Sequence, residues 1–135
     1  PSYVATLPSH DVVAAALHKA LPERLAYALT RWKNIARSMF YFRVARSRPD
    51  MFKRSLRTAA VQQLGADFPV DVHFAPRYEP WDERLCLAPD GDLFRVLREG
   101  RARIVTDHIT HFDETGVQLA SGQHLEADVI VTATG

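Results

Sequence analysis

Between Pro22 and Pro49 the chain carries 26 residues without a proline or a glycine. Within that span Leu25, Leu29, Trp32, Ile35, Met39 and Phe42 recur every three or four residues. Such spacing puts one apolar stripe on a helix from Glu23 to about Ser47, with Arg24, Arg31 and Arg37 on other faces. No strand tolerates this period, so the first half of the chain must be built around a long helix. The stripe is expected to be its packed face.

The flanking signals agree. Ser9 or Asp11 can cap a short helix, "DVVAAALHKA", that stops before Pro22, and Pro22 suits the first position of the next helix. Pro49 ends the long helix, and Asp50 favours the first turn of a third, which closes at Gly65. Residues 67–89 hold Pro69, Pro76, Pro80 and Pro89 among Phe68, Phe74, Tyr78 and Trp81. A linker is poorer in large apolar side chains, so this reads as an ordered, packed loop. Asp90 or Asp92 caps "LFRVLREG", which Gly100 ends. "RARIVTD" reads as a strand. "HITHFD", "GVQLA" and "QHLEA", separated by "ETG" and "SG" turns, read as a meander. The run Val129, Ile130, Val131 reads as a parallel-type strand buried on both faces, beyond whose end a ligand would sit in an open α/β sheet. No internal repeat interrupts this order.

Charge divides the chain in the same way. Net charge is only +1, yet residues 1–65 carry +8 and residues 66–135 carry −7. Nine Lys/Arg between Arg31 and Arg57, interleaved with Trp32, Phe40, Tyr41, Phe42 and Phe52, could form a surface for nucleic acid or an anionic membrane. They also fit a solvated helix face whose long stems cover apolar surface, which is the reading adopted: no nucleic-acid partner. The one cysteine, Cys86, excludes an internal disulfide and fits a reducing, cytoplasmic compartment. No apolar stretch reaches the roughly 20 residues of a membrane span, so no stable insertion is expected.

Chemistry-bearing motifs are sparse. There is no G-x-G-x-x-G and no G-x-x-x-x-G-K, so no phosphate-binding loop. The six histidines are scattered, and His108 and His111 fall on opposite faces of a strand, so no metal site is expected.

Five stretches taken together are more specific: "PSYVATLP" at 1–8, "PRYEPWDERLC" at 76–86, "PDGDLF" at 89–94, "IVTD" at 104–107 and "ADVIVTATG" at 127–135. In this order the chain resembles the flavin-containing monooxygenases, and most of all the Baeyer–Villiger monooxygenases of the ethionamide-activating group. The resemblance covers essentially all 135 residues. It implies an α+β internal fragment of a larger α/β flavoprotein with two dinucleotide-binding domains. Residues 1–68 would be a helical subdomain inserted in the NADPH domain. Residues 69–135 would be a loop and the β-rich return into that domain, with a meander and a parallel-type strand.

The implied activity is insertion of one oxygen from O2 into a ketone, or onto the sulfur of a thioether or thioamide. FAD and NADPH would be bound mainly by residues outside this chain, and the chain alone would be inactive. Ala133, Thr134 and Gly135 would mark the crossing toward the FAD domain and touch cofactor. Arg84 matches the arginine that family members place against flavin and nicotinamide, although Glu83 stands where the family commonly has lysine. A guanidinium stays charged at any working pH and stabilises negative charge that builds on oxygen in a dry site. The competing role for Arg84 is an ion pair with Asp82 or Glu99 that fixes the loop. A sibling reading is an N- or S-oxygenating flavin monooxygenase. The unpaired terminal strand predicts self-association of the chain.

Overall fold

The computed structural model describes residues 1–83 and 85–133, which form two compact units, one from Pro1 to Ile104 and one from Val105 onward. The boundary anticipated at 68/69 falls inside the first unit.

The first unit contains β1 (Tyr3–Leu7), α1 (Val12–Ala20), α2 (Glu23–Ser47), α3 (Pro49–Leu64), α4 (Val70–His73), β2 (Leu85–Pro89) and α5 (Asp92–Arg98). Asp11 caps α1 by accepting from the Ala14 amide at 3.0 Å. Pro22 sits one place earlier than expected, as the N-cap of α2, where its carbonyl accepts from Leu25 and Ala26. Pro49 opens α3, and Gly65, at φ 94°, closes it in a conformation that costs glycine little. At α5 the expected cap is absent. Gly91 holds the N-cap position in the left-handed region, Asp92 lies in the first turn, and Asp90 accepts from the Ser9 amide at 2.9 Å.

β1 and β2 pair in parallel, with Tyr3 opposite Leu85 and Leu7 opposite Pro89. β1 lies in a stretch that periodicity leaves unassigned, whereas β2, like α4, falls inside the stretch 67–89 expected to be an irregular loop. Val4 and Ala88 on one face join Ala60, Val70, Phe74, Phe94 and Leu97 in the core. Phe94 is 1% exposed and packs on Phe74 at a ring separation of 5.5 Å. α3 packs against both β1 and α5, and α5 against β2.

The stripe on α2 does not pack as expected. Leu25, Leu29, Trp32, Met39 and Phe42 are between 43 and 68% exposed, whereas Ala26 and Ala45 are buried. The helix packs on α1 and α3, and its buried side chains are small ones, which allow close approach, while its large ones stay partly or mostly exposed.

The second unit is the meander: β3 (Ile109–Asp113), β4 (Gly116–Leu119) and β5 (His124–Glu126), antiparallel in that order. Asp113 builds the first turn, accepting from the Thr115 and Gly116 amides at 2.8 and 2.9 Å. Residues 101–107 form no strand, contrary to expectation. Residues 128–133 likewise form none, and Val129 and Val131 are 79 and 83% exposed. A two-faced parallel strand exists only between hydrogen-bonded neighbours, and the described residues supply none at that stretch.

Two substitutions test these packing claims. Phe94→Ala should destabilise the first unit by about 3–5 kcal/mol, read from denaturant unfolding. At Gly116 a Cβ would stand 1.9 Å from the Leu125 carbonyl oxygen. Gly116→Ala should therefore break the β4–β5 pairing at a cost of about 1–3 kcal/mol. Hydrogen exchange should accelerate at residues 116–126 while the first unit keeps its protection.

Candidate functional site

The loop leading to position 84 is fastened along its length. Arg57 on α3 holds Asp71 through two bonds, at 2.6 and 2.8 Å. Lys53 donates to Glu79 at 2.6 Å, and Arg46 on α2 pairs with Asp82. Between these anchors the Tyr3 hydroxyl donates to the Tyr78 carbonyl at 3.0 Å, and the two rings meet edge to face at 5.4 Å. Phe42 packs edge-on against Trp81 at 6.0 Å. Four of the nine basic residues of the helical region thus pair with acids of the same unit, Lys33 with Asp11 being the fourth. Asp82 and Glu99, the acids considered as partners of Arg84, pair with Arg46 and Arg101.

Trp81 has φ 72°, which a bulky side chain rarely adopts. It stands at the rim of a cavity of about 350 Å³ between the sheet and the helices. The β1–β2 face opposite the core supplies Ala5, Leu85 and Leu87, and α3 supplies Phe52 and Leu56. α2 contributes Tyr41 and, one turn earlier, Arg37. Among the described residues no acidic side chain lines the cavity. Cys86, on the neighbouring strand position, is half-buried with Ser2 Oγ at 3.4 Å.

The electrostatics of the unit follow from its pairs. The hydrogen bond from Lys33, with that from the Ala14 amide, lowers the Asp11 pKa to about 2. Arg57 lowers Asp71, and the bonds from Ser9 lower Asp90. The hydrogen bond to Glu79 raises Lys53, while burial raises Tyr3. In the meander, the bonds from Thr115 bring Asp113 to about 2, assisted by His124 at 2.9 Å.

Of the residues singled out in the sequence, Arg84, Thr134 and Gly135 lie outside the described residues. Ala133 is exposed in the irregular stretch that follows the meander. Arg37, Tyr41 and Phe52 were considered only as part of a basic surface and Trp81 only as part of a packed loop, not as one cavity. The available signal was that Arg37 and Tyr41 lie four apart on α2, off its stripe. Among the described residues no group of three or more His, Cys, Asp or Glu could hold a metal ion. None of their helices is long and apolar enough to cross a membrane.

Over its whole length the chain is related to proteins named FAD-containing or FAD-binding monooxygenases, which bears out the resemblance carried by its motifs. It is 50% identical to the FAD-containing monooxygenase EthA of Mycolicibacterium smegmatis and 47% identical to the probable FAD-binding monooxygenase AlmA of Acinetobacter baylyi. It is 43% identical to the putative FAD-containing monooxygenase MymA of Mycobacterium tuberculosis. Each match covers all of this chain and 27% of the relative, so the chain spans about a quarter of their length. No family model matches the chain, and no solved structure matches it significantly.

The depressed carboxylates set an acid limit. Unfolded aspartates take up protons near pH 3.9, whereas Asp11 and Asp113 stay ionised in the fold down to about pH 2. Their contribution to stability is complete above about pH 4 and is lost as pH falls through about 2. Far-UV circular dichroism should show acid unfolding in that window. Asp11→Asn should shallow the slope for the first unit.

Proposed function

We propose that the chain is part of an FAD- and NADPH-dependent monooxygenase that inserts one oxygen atom of O2 into a ketone. The alternative acceptor is the sulfur of a thioether or thioamide. The observation that carries this reading is the identity of 42–50% with FAD-named monooxygenases along every residue of the chain. The larger protein would have two dinucleotide-binding domains, with residues 1–68 as the helical insertion of the NADPH domain and residues 69–135 as the return into it.

The described residues do not themselves make a pyrophosphate cradle. The one glycine at a helix start, Gly91, has its open side filled by Gln63 at 2.5 Å from a Cβ position, and its amide donates to Ala88. In this reading FAD and NADPH belong mainly to residues beyond this chain, and the isolated chain carries no catalysis. What this chain contributes is a fixed stem. Tyr78, Glu79, Trp81 and Asp82 are each tied to β1, α2 or α3 just before Arg84. A catalytic arginine works when the backbone beneath it is held still. Arg84 would then offer its permanent charge to the oxygen that becomes negative when a carbonyl is attacked.

In the full-length protein, Arg84→Ala should leave reduction by NADPH near its normal rate. It should lower ketone oxygenation by about 100- to 1,000-fold, the usual loss for one aimed donor. Arg84→Lys should restore only part, because a point charge does not reproduce the planar fork. Stopped-flow measurement of the two half-reactions separates them. Ester product at an undiminished rate from Arg84→Ala would assign Arg84 to holding the loop, whereas sulfoxide without ester from the unaltered protein would favour the N- or S-oxygenating alternative.

A further inference from the structure

We infer that the cavity between the β1–β2 sheet, α2 and α3 is a binding site for a small amphipathic carboxylate, its apolar tail inside and its carboxylate on Arg37. Two features meet there. The interior is apolar on two sides: Ala5, Leu85 and Leu87 from the sheet, Phe52 and Leu56 from α3. Its volume of about 350 Å³ lies in the range of small-molecule pockets, roughly 300–1,000 Å³. At its α2 edge stands Arg37, a permanent cation that has no ion-pair or hydrogen-bond partner among the described residues.

Among the described residues Arg37 is the one charged side chain that lines the cavity, whereas Lys33, Arg46, Lys53 and Arg57 are held in ion pairs elsewhere on the unit. With no acid in the lining, the local field favours an anion. A guanidinium presents two parallel donors to a carboxylate, and the Ser38 hydroxyl lies in the same lining, while the Ser55 hydroxyl donates to the Phe52 carbonyl at 2.7 Å. A phosphate ester would match the cation equally, but its larger charge would need more donors than one guanidinium and one hydroxyl. Trp81, strained at the rim, gives the site an optical reporter.

Binding at this site needs no flavin, so it is tested on the chain as it is. In a Trp32→Phe background, Trp81 is the only tryptophan. Titration with decanoate should shift its emission saturably, and decanol should bind about 10- to 100-fold more weakly, the range for a hydrogen bond to a charged group. Arg37→Gln should abolish that preference for the acid, and Arg37→Lys should keep part of it. Ala59→Phe, which fills the cavity without adding a tryptophan, should remove binding of both ligands, whereas Leu29→Ser on the exposed stripe of α2 should change neither. Equal affinity for acid and alcohol, an unchanged acid preference in Arg37→Gln, or loss of binding in Leu29→Ser would each overturn the assignment. So would the absence of saturable binding, which would leave the monooxygenase reading untouched.

Discussion

Parallel pairing of β1 with β2 is the constraint on which the first unit rests. Two strands joined by ladder bonds have two faces, and each face must be accounted for. One is covered by α3, α4 and α5 with Phe94 at the centre. The other is only partly roofed by α2 and α3, and the space left beneath them is the cavity. Core and site are therefore the two sides of one sheet. Alternation along the strands assigns Val4 and Ala88 to one side and Ala5 and Leu87 to the other. A one-residue slip of register would exchange these sets, putting cavity walls into the core.

The charge asymmetry acquires a local meaning. Bases on α2 and α3 meet acids that come later in the chain, in the order Arg57–Asp71, Lys53–Glu79, Arg46–Asp82. The loop runs back along the helices against their own direction, fastened at successive points. Each exposed pair is worth little in free energy, roughly 0–1 kcal/mol. Their joint effect is positional: they define where the segment before Arg84 lies, with Tyr3–Tyr78 and Phe42–Trp81 contacts filling the intervals.

The legible parts of the sequence are those set by local chemistry. Proline and glycine at 22, 49 and 65 delimit the helices to within a residue, and "ETG" and "SG" place the turns of the meander. What depends on distant partners was not legible. "YVATL" and "LCLAP" become strands only because each finds the other, and nothing local in either names its partner. Periodicity revealed that α2 has an apolar stripe, but not which face the neighbours would take. The small residues Ala26 and Ala45 won, since they let helices approach. The same blindness explains "DVIVTAT", whose composition suits a buried strand but whose conformation depends on neighbours. Family motifs identified the loop around Arg84, while the cavity beside it, assembled from five separate segments, left no motif.

The register of the sheet also fixes an order of events in time. Tyr3 pairs with Leu85, so 82 positions of chain must exist before the first rung can form. At a synthesis rate of about 5–20 residues per second, β1 waits unpaired for about 4–16 s. Helical hairpins close locally in far less time, and so does a meander. The helices are thus ready before the sheet that organises them, and ladder closure is the late, topology-limited step. During that interval Tyr3, Val4 and the stripe of α2 are exposed together on a nascent chain. The architecture that joins core and cavity in one sheet is therefore also what leaves this segment longest in need of protection while the protein is being made.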